Sequence, residues 1–321
     1  MSSRAPKVVA IGGGHGLAVT LRAIRQYTTD ITAIVSVADD GGSSGRLRRD
    51  LDIIAVGDLR KCLVALSTTP STLWSEAFEY RFAAGDLDGH ALGNLILAGL
   101  AAVTHDWEQA AAAAGTVLGI VGRVLPATSE SVALRAEVEG GGIVDGQVAV
   151  QNSSVRIRRV TLVPPDAPSP PSVTTAIEQA DQIVLAPGSL FTSLIPALCA
   201  PAVGAALARS RAPVVQIANL AALEPESRGL SARDHVGAVL DLGIRVDRLI
   251  VDSESALGAD PTDFADIAVD LVTADVARPD VQVHEPAKLA PVLATLLESE
   301  VGPYGSLQAS NGQRRPKTEG S

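Results

Sequence analysis

Glycine fills four of the five positions from Gly12 to Gly16, in the order Gly12-Gly13-Gly14-His15-Gly16. A stretch without side chains lets a ligand approach the backbone, and N–H groups at a helix start can hold a phosphate. A tight turn is the plainer use of the same glycines. Two familiar nucleotide motifs are excluded by spacing. A G-x-G-x-x-G fingerprint begun at Gly12 needs glycine where Leu17 stands, and G-x-x-x-x-G-K-[ST] occurs nowhere. In Asp39-Asp40-Gly41-Gly42-Ser43-Ser44-Gly45-Arg46, two adjacent carboxylates suit ribose hydroxyls or a hard cation such as Mg²⁺. The Gly/Ser segment after them can wrap a phosphate or a sugar, and Arg46, Arg48 and Arg49 add anion-binding capacity.

Three further blocks carry polar groups beside glycine. Asp58, in Gly57-Asp58-Leu59-Arg60-Lys61-Cys62, is a carboxylate at a helix start, where simple capping explains it as well as ligand binding does. Gly89-His90-Ala91-Leu92-Gly93-Asn94 offers His90 or Asn94 to a ligand, although a histidine beside an apolar helix is more often structural. Pro187-Gly188-Ser189-Leu190-Phe191-Thr192-Ser193 is a loop with hydroxyls and free N–H groups that suits a phosphate or carboxylate. No nucleophilic constellation accompanies them. Neither Cys62 nor Cys199 has a base partner in sequence, and the histidines at 15, 90, 105, 235 and 284 show no metal-binding spacing. The residues describe a nucleotide-shaped site without an obvious catalyst.

The elements that must position these residues read as alternating strands and helices. Val8 to Ile11 is a β-branched run that ends on the glycines, Leu17 to Ile24 has helical spacing, and Ile31 to Val37 is a second strand closing on Asp39 and Asp40. That order predicts a parallel βαβ unit with its loops at the carboxyl ends of the strands, where open α/β sheets bind ligands. Helices are expected over Leu59 to Leu66, Leu73 to Phe82, Leu92 to Val103 and around Ala110 to Ala114. Between about Ser131 and Val163 short alternating runs, Val148 to Val150 and Val155 to Leu162, predict a β-ribbon insertion, and a proline-rich connector follows. Strands at Ile183 to Leu185, Val214 to Ile217 and Leu249 to Val251, with helices at Ala232 to Leu242 and Lys288 to Leu297, resume the α/β pattern. The fold expected is a Rossmann-like three-layer α/β domain over residues 1–301, with helices on both faces of a parallel sheet and a polar, disordered tail over 302–321.

Composition narrows the partners. Asp and Glu total 36 against 26 Lys and Arg, a net charge of -10, and aromatics are only 3%, which argues against a nucleic-acid binder with a basic face or a base-stacking platform. Two cysteines make no disulfide framework, so a cytoplasmic setting is expected. The mean hydropathy of +0.25 makes a membrane span worth testing. The uncharged stretch Gln182 to Ala208 has the length, but Pro187, Gly188, Pro196 and Pro201 interrupt it, and a strand, a loop and a helix account for it. Helix faces rich in alanine and leucine suit a homodimer as well as a core.

Taken in order, Gly12 to Leu17, Ser36 to Arg48, Gly57 to Leu66, Gly89 to Leu100 and Ala186 to Leu198 resemble the signature blocks of the YvcK gluconeogenesis-factor family, within the broader CofD-like superfamily. Asn219 to Val236, ending Asp234-His235-Val236, is similar to that family's Asn-Leu to Asp-His-Val block, and the resemblance covers roughly Lys7 to Glu300. It implies a cytoplasmic protein that binds a UDP-sugar, such as UDP-N-acetylglucosamine or UDP-glucose, and supports cell shape and wall synthesis during gluconeogenic growth. The partners it implies are a Ser/Thr kinase and wall-synthesis proteins, with Thr318 a conceivable phosphosite. The CofD branch instead implies an Mg²⁺-dependent transfer of a phospholactate-type group from a guanine-nucleotide donor to a deazaflavin, with Asp39, Asp40 and Asp58 assisting. An NAD-dependent oxidoreductase is a weaker third reading, opposed by Leu17. On the first reading Gly12 to Gly16 and Gly188 to Thr192 hold the diphosphate, Asp39 and Asp40 hold ribose or a cation, and Asn219 orients the ligand. Ser43, Ser44, Arg46, Asp58, Asn94 and Ser189 complete the expected nucleotide-binding set. The chain departs from the family at His15, where a Thr is common, and at Glu224-Pro225-Glu226-Ser227, where Pro-Gly-Glu-Thr is common, so Glu226 is the member carried over.

Overall fold

A strand that is covered on both faces needs an unbroken apolar run, and the first such run becomes β1 (Lys7–Gly12), buried along almost its whole length. The computed structural model describes residues 4–69, 72–222, 224–279 and 281–298, and the tail expected over 302–321 lies outside them. α1 (Gly14–Ile24) returns the chain to β2 (Asp30–Val35), which pairs in parallel with β1 from Lys7 opposite Asp30 to Gly12 opposite Val35. Leu17, Leu21 and Ile24 recur at helical spacing on α1 and are fully buried. Each contributes roughly 1.5–3 kcal/mol relative to an exposed side chain.

Helices α2 (Gly42–Leu51), α3 (Gly57–Leu66), α4 (Leu73–Glu79), α5 (Leu92–Thr104) and α6 (Trp107–Leu118) precede β3 (Arg123–Pro126), a short edge strand paired with β2. The expected ribbon is a three-stranded antiparallel sheet of β4 (Ala133–Val138), β5 (Ile143–Asp145) and, after the one-and-a-half-turn helix α7 (Gln147–Gln151), β6 (Ile157–Val163). The alternating burial of β4 leaves one face to solvent. The expectation of a strand-like run at Val148 to Val150 is corrected. Those residues form α7, because the Asp40 carboxylate accepts the N–H groups of Gln147 (2.8 Å) and Val148 (3.0 Å) at the helix start.

α8 (Pro171–Glu178) leads to β7 (Gln182–Leu185), and a π-turn over Leu190–Leu194 runs into α9 (Ile195–Leu198) and then α10 (Pro201–Arg209). The sheet is completed by β8 (Val214–Ile217), α11 (Ala232–Leu240), β9 (Arg248–Asp252), β10 (Asp270–Ala274) and α12 (Pro286–Glu298). All seven strands of the main sheet are parallel, in the order β10-β9-β8-β7-β1-β2-β3. The chain therefore leaves β1 in one direction and later resumes on its other side at β7. That reversal is the topological switch point, and the crevice outside the carboxyl ends of β1 and β7 is where such sheets take a ligand. Among the described residues no single helix is long and apolar enough to cross a membrane; the apolar helices Leu190–Leu198 and Pro201–Arg209 are bent against each other by 70°.

Candidate functional site

α1 begins without a local cap. Gly13, its N-cap, has no side chain to accept the first N–H groups, and Gly14 follows at φ +65°, a conformation that glycine adopts without strain. The missing acceptor comes from α3, where Asp58 Oδ2 accepts the Gly14 N–H at 2.6 Å and Asp58 Oδ1 accepts from Lys61 Nζ at 2.9 Å. Asp58 does not cap its own helix. The start of α3 is capped from elsewhere, by Ser44 Oγ accepting the Gly57 N–H at 3.1 Å, and Asp58 instead faces the glycine turn. The exposed His15 has its pKa lowered chiefly by the neighbouring Lys61 ammonium, so it is neutral and adds no cation to the turn.

The second wall of the crevice is the turn after β7. A Cβ on Gly16 would stand 1.8 Å from the Pro187 carbonyl oxygen, so α1 and the Pro187-Gly188 peptide touch backbone to backbone. Asn219, at the end of β8, pairs with Gly188 at both ends of its amide: Gly188 N–H donates to Oδ1 and Nδ2 donates to Gly188 C=O, each at 2.8 Å. Gly14, Gly16, Gly188, Ser189 and Asn219 thus line one cleft of about 350 Å³ at the switch point. Asn219→Ala removes both bonds and leaves the Gly188 peptide unheld; we expect about 1–3 kcal/mol of lost stability in urea unfolding. Asn219→Asp, which keeps only the acceptor, should fall between that variant and the wild type.

The remaining expected residues divide differently from the sequence reading. Asp39, half-buried, accepts the Gly41 N–H at 3.0 Å, and its pKa is raised by burial, with the nearby Asp58 charge adding to the effect. Asp40 has both of its oxygens taken by the backbone of α7. The Gly/Ser segment is the first turn of α2 and not an open loop. Ser43 and Ser44 are buried there: Ser43 Oγ lies 3.0 Å from His90 Nδ1 and accepts from Asn94 Nδ2 at 3.0 Å. Asn94 Oδ1 accepts from Arg60 Nε at 3.1 Å, and the buried Arg60 is further paired with Glu79. Arg46 donates to the Asp88 carbonyl and Arg48 to Ser131 Oγ at 2.9 Å. Ser43, Ser44, Arg46, His90 and Asn94 are therefore brought together under α2, α3 and α5, and none of them lines the switch-point cleft. Thr192, 5% exposed, turns inward to Glu226.

Several groups in the cleft or beside its glycine turn were not singled out by sequence. Lys61 sits three residues after Asp58 on α3, a spacing that puts both on one helix face and was legible as an ion pair. Ser193, in the quoted loop, and Glu224 also line the cleft. Gln282 and His284 reach it from just before α12, about a hundred residues beyond β7 in the chain, and no local pattern marks them. The two glycine turns bring backbone N–H groups to the site, and Lys61, paired with Asp58 beside Gly14, stands at their edge as a cation. Such a site can hold phosphate oxygens on backbone N–H groups without a net basic surface. Among the described residues no group of three or more His, Cys, Asp or Glu side chains is placed to hold a metal ion.

Comparison with known proteins follows the same outline. The family model for 2-phospho-L-lactate transferase CofD matches residues 8–285. A gluconeogenesis factor from Bacillus subtilis is 39% identical over 314 residues, covering 91% of this chain and 98% of that protein. A longer relative from Nostoc sp. is 44% identical over 237 residues, 74% of this chain and 52% of that protein, so the chain spans about half of its length. A crystal structure of a UPF0052-family protein from Bacillus halodurans superposes with a TM-score of 0.87 at 37% identity, covering 91% of this chain and all (100%) of that one.

Proposed function

The chain belongs to the gluconeogenesis factors, within the CofD family, and from that membership we propose that it is a regulatory protein that binds a UDP-sugar at the switch-point cleft. The observation that carries this reading is the pair of glycine turns facing each other across β1 and β7, one of them opening a helix that has no local cap. On this reading the diphosphate lies on the amides of His15, Gly16 and Ser189, the Gly14 and Gly188 N–H groups being held by Asp58 and Asn219, with Lys61 as counter-charge. Asn219 positions the second turn and does not bind phosphate itself, since its amide is spent on Gly188. Asp39 and Asp58 border the ribose side. A nucleotide bound here reports the supply of activated sugar, which is the quantity a factor for wall synthesis during gluconeogenic growth needs to sense.

Magnesium enters as a companion of the phosphates. Asp40 is committed to α7, Asp58 to Gly14 and Lys61, and Asp39 to Gly41, so these carboxylates do not form a dedicated octahedral cage. The transferase reading keeps one observation in its favour, the CofD family model over residues 8–285. Its test is turnover: a guanine-nucleotide phospholactate donor incubated with a deazaflavin acceptor would have to be consumed.

Thermal unfolding with UDP-glucose, UDP-N-acetylglucosamine, GDP and NAD, each with and without Mg²⁺, separates the readings. A UDP-sugar at a hundred times its Kd should raise stability by about 2.7 kcal/mol, while NAD should leave the midpoint unmoved. No shift with either UDP-sugar at millimolar concentration would sink the proposal.

A further inference from the structure

His284 holds an acceptor that the protein itself leaves unused. The residue lies between the bridge to Ala277 and the start of α12, and it is 6% exposed. A hydrogen bond to the backbone at Ala218, the residue after β8, engages the ring, and Nε2 has no partner among the described residues. A backbone carbonyl only accepts, so the ring nitrogen facing Ala218 carries the proton and the neutral ring presents a lone pair at Nε2. The ring stays neutral because burial pushes its pKa down to about 4, against a smaller opposing pull from Asp252. The Asp252 carboxylate is itself occupied by the N–H groups of Val276 (2.8 Å), Ala277 (2.9 Å) and Glu254 (2.9 Å).

His284 borders the same cleft as Gly14 and Gly188, on the wall built by the loops after β8 and β10. A buried acceptor without a donor is unfavourable, and one that borders a ligand cleft gains its donor when the ligand arrives. The contrast with His235 is informative. His235 is equally buried with Nε2 unpartnered, but it does not line this cleft. A neutral acceptor repels phosphate oxygens, which accept only, so the complementary group belongs to the ligand's uncharged parts.

We infer that His284 Nε2 is a ligand-reading group, accepting a hydrogen bond from a nucleobase imide N–H or from a sugar hydroxyl. This rests on the nucleotide-sugar reading and adds to it a specificity contact remote in sequence from both phosphate turns. The test measures the affinity of the full chain for UDP-glucose, UDP and N3-methyl-UDP, with wild type, His284→Ala and His284→Gln. His284→Ala should bind UDP-glucose roughly ten to a hundredfold more weakly, measured below its unfolding midpoint, which should fall with the loss of the ring's packing and of its bond to Ala218. His284→Gln, whose amide oxygen can stand near Nε2, should recover part of the loss. If the donor is the imide, wild type loses a similar factor on N3-methyl-UDP and His284→Ala binds UDP and N3-methyl-UDP alike. If the donor is a sugar hydroxyl, the loss appears on UDP-glucose and not on UDP. Wild-type affinity for UDP-glucose in His284→Ala overturns this inference alone, whereas a wild type that binds no nucleotide overturns the function proposal with it. Should His284→Ala fail to fold, equal wild-type affinity for all three ligands overturns the inference.

Discussion

Gly16→Ala should lose more than about 3 kcal/mol of stability, or fail to yield folded protein, although it places the best helix-forming residue inside a helix. Gly16 lies in the first turn of α1, where alanine would ordinarily gain up to about 1 kcal/mol over glycine. The added Cβ meets the Pro187 carbonyl oxygen at 1.8 Å, the Pro187 carbonyl carbon at 2.5 Å and the Gly188 nitrogen at 3.2 Å. All three are backbone atoms of the turn after β7, so no side chain can swing aside. α1 would have to lift from the switch point, which also withdraws the Gly14 N–H from Asp58 and the first-turn amides from the proposed diphosphate. Gly99→Ala is the control. It lies in α5, is exposed, and its Cβ would meet nothing within 4 Å, so the same substitution should stabilise by up to about 1 kcal/mol. Urea unfolding of the two variants should move in opposite directions; a Gly16→Ala protein with wild-type stability would mean that α1 does not touch the β7 turn.

The glycines that make this contact were legible in the sequence, and so was the sheet they serve. β1, β2, β7, β8 and β9 are buried on both faces, which requires runs such as Val8 to Ile11 and Val214 to Ile217 that stand out from their surroundings. The edge strands β3 and β10 were missed because an edge needs less apolar sequence: β3 begins on an exposed arginine and β10 is only half-buried. α7 was misread because its apolar alternation, Gln147-Val148-Ala149-Val150, favours a strand, and the carboxylate that turns it into a helix start lies more than a hundred residues earlier at Asp40. The polar residues set the harder problem. Asn94 and Asp58 both follow glycines at helix starts, yet Asn94 closes a buried network with Ser43 and Arg60 while Asp58 holds the glycine turn at Gly14. Only the packing of α3 against α1 on one side and α5 on the other separates the two roles.

Glu226→Gln should flatten the dependence of stability on pH between about 4.5 and 7. Glu226 is 4% exposed in the turn Pro225–Ser227; its Oε1 accepts from the Phe191 N–H at 3.3 Å and from Thr192 Oγ1 at 3.4 Å, and Oε2 has no partner among the described residues. Burial raises its pKa from 4.5 to about 7, and the backbone bond from Phe191 only partly offsets that. The folded value lies above the unfolded one, so the folded chain binds the extra proton. Below about pH 4 both states are protonated and no penalty exists. As pH rises from 4.5 to about 7 the unfolded chain ionises first, stability falls by about 1.4 kcal/mol per unit, and above that range a constant cost of about 3 kcal/mol remains. Glutamine keeps the Oε1 acceptor and cannot ionise. Its own cost, an amide in place of Oε2, is the same at every pH, so the difference between variant and wild type isolates the proton. Denaturant unfolding at pH 4.5 and pH 8 should show the wild type losing about 3 kcal/mol more than Glu226→Gln over that interval, and parallel curves would mean that Glu226 is solvated. The proton sits beneath Phe191 and Thr192, in the π-turn that carries Ser193 to the cleft, so the same titration should loosen the β7 wall of the binding site at alkaline pH.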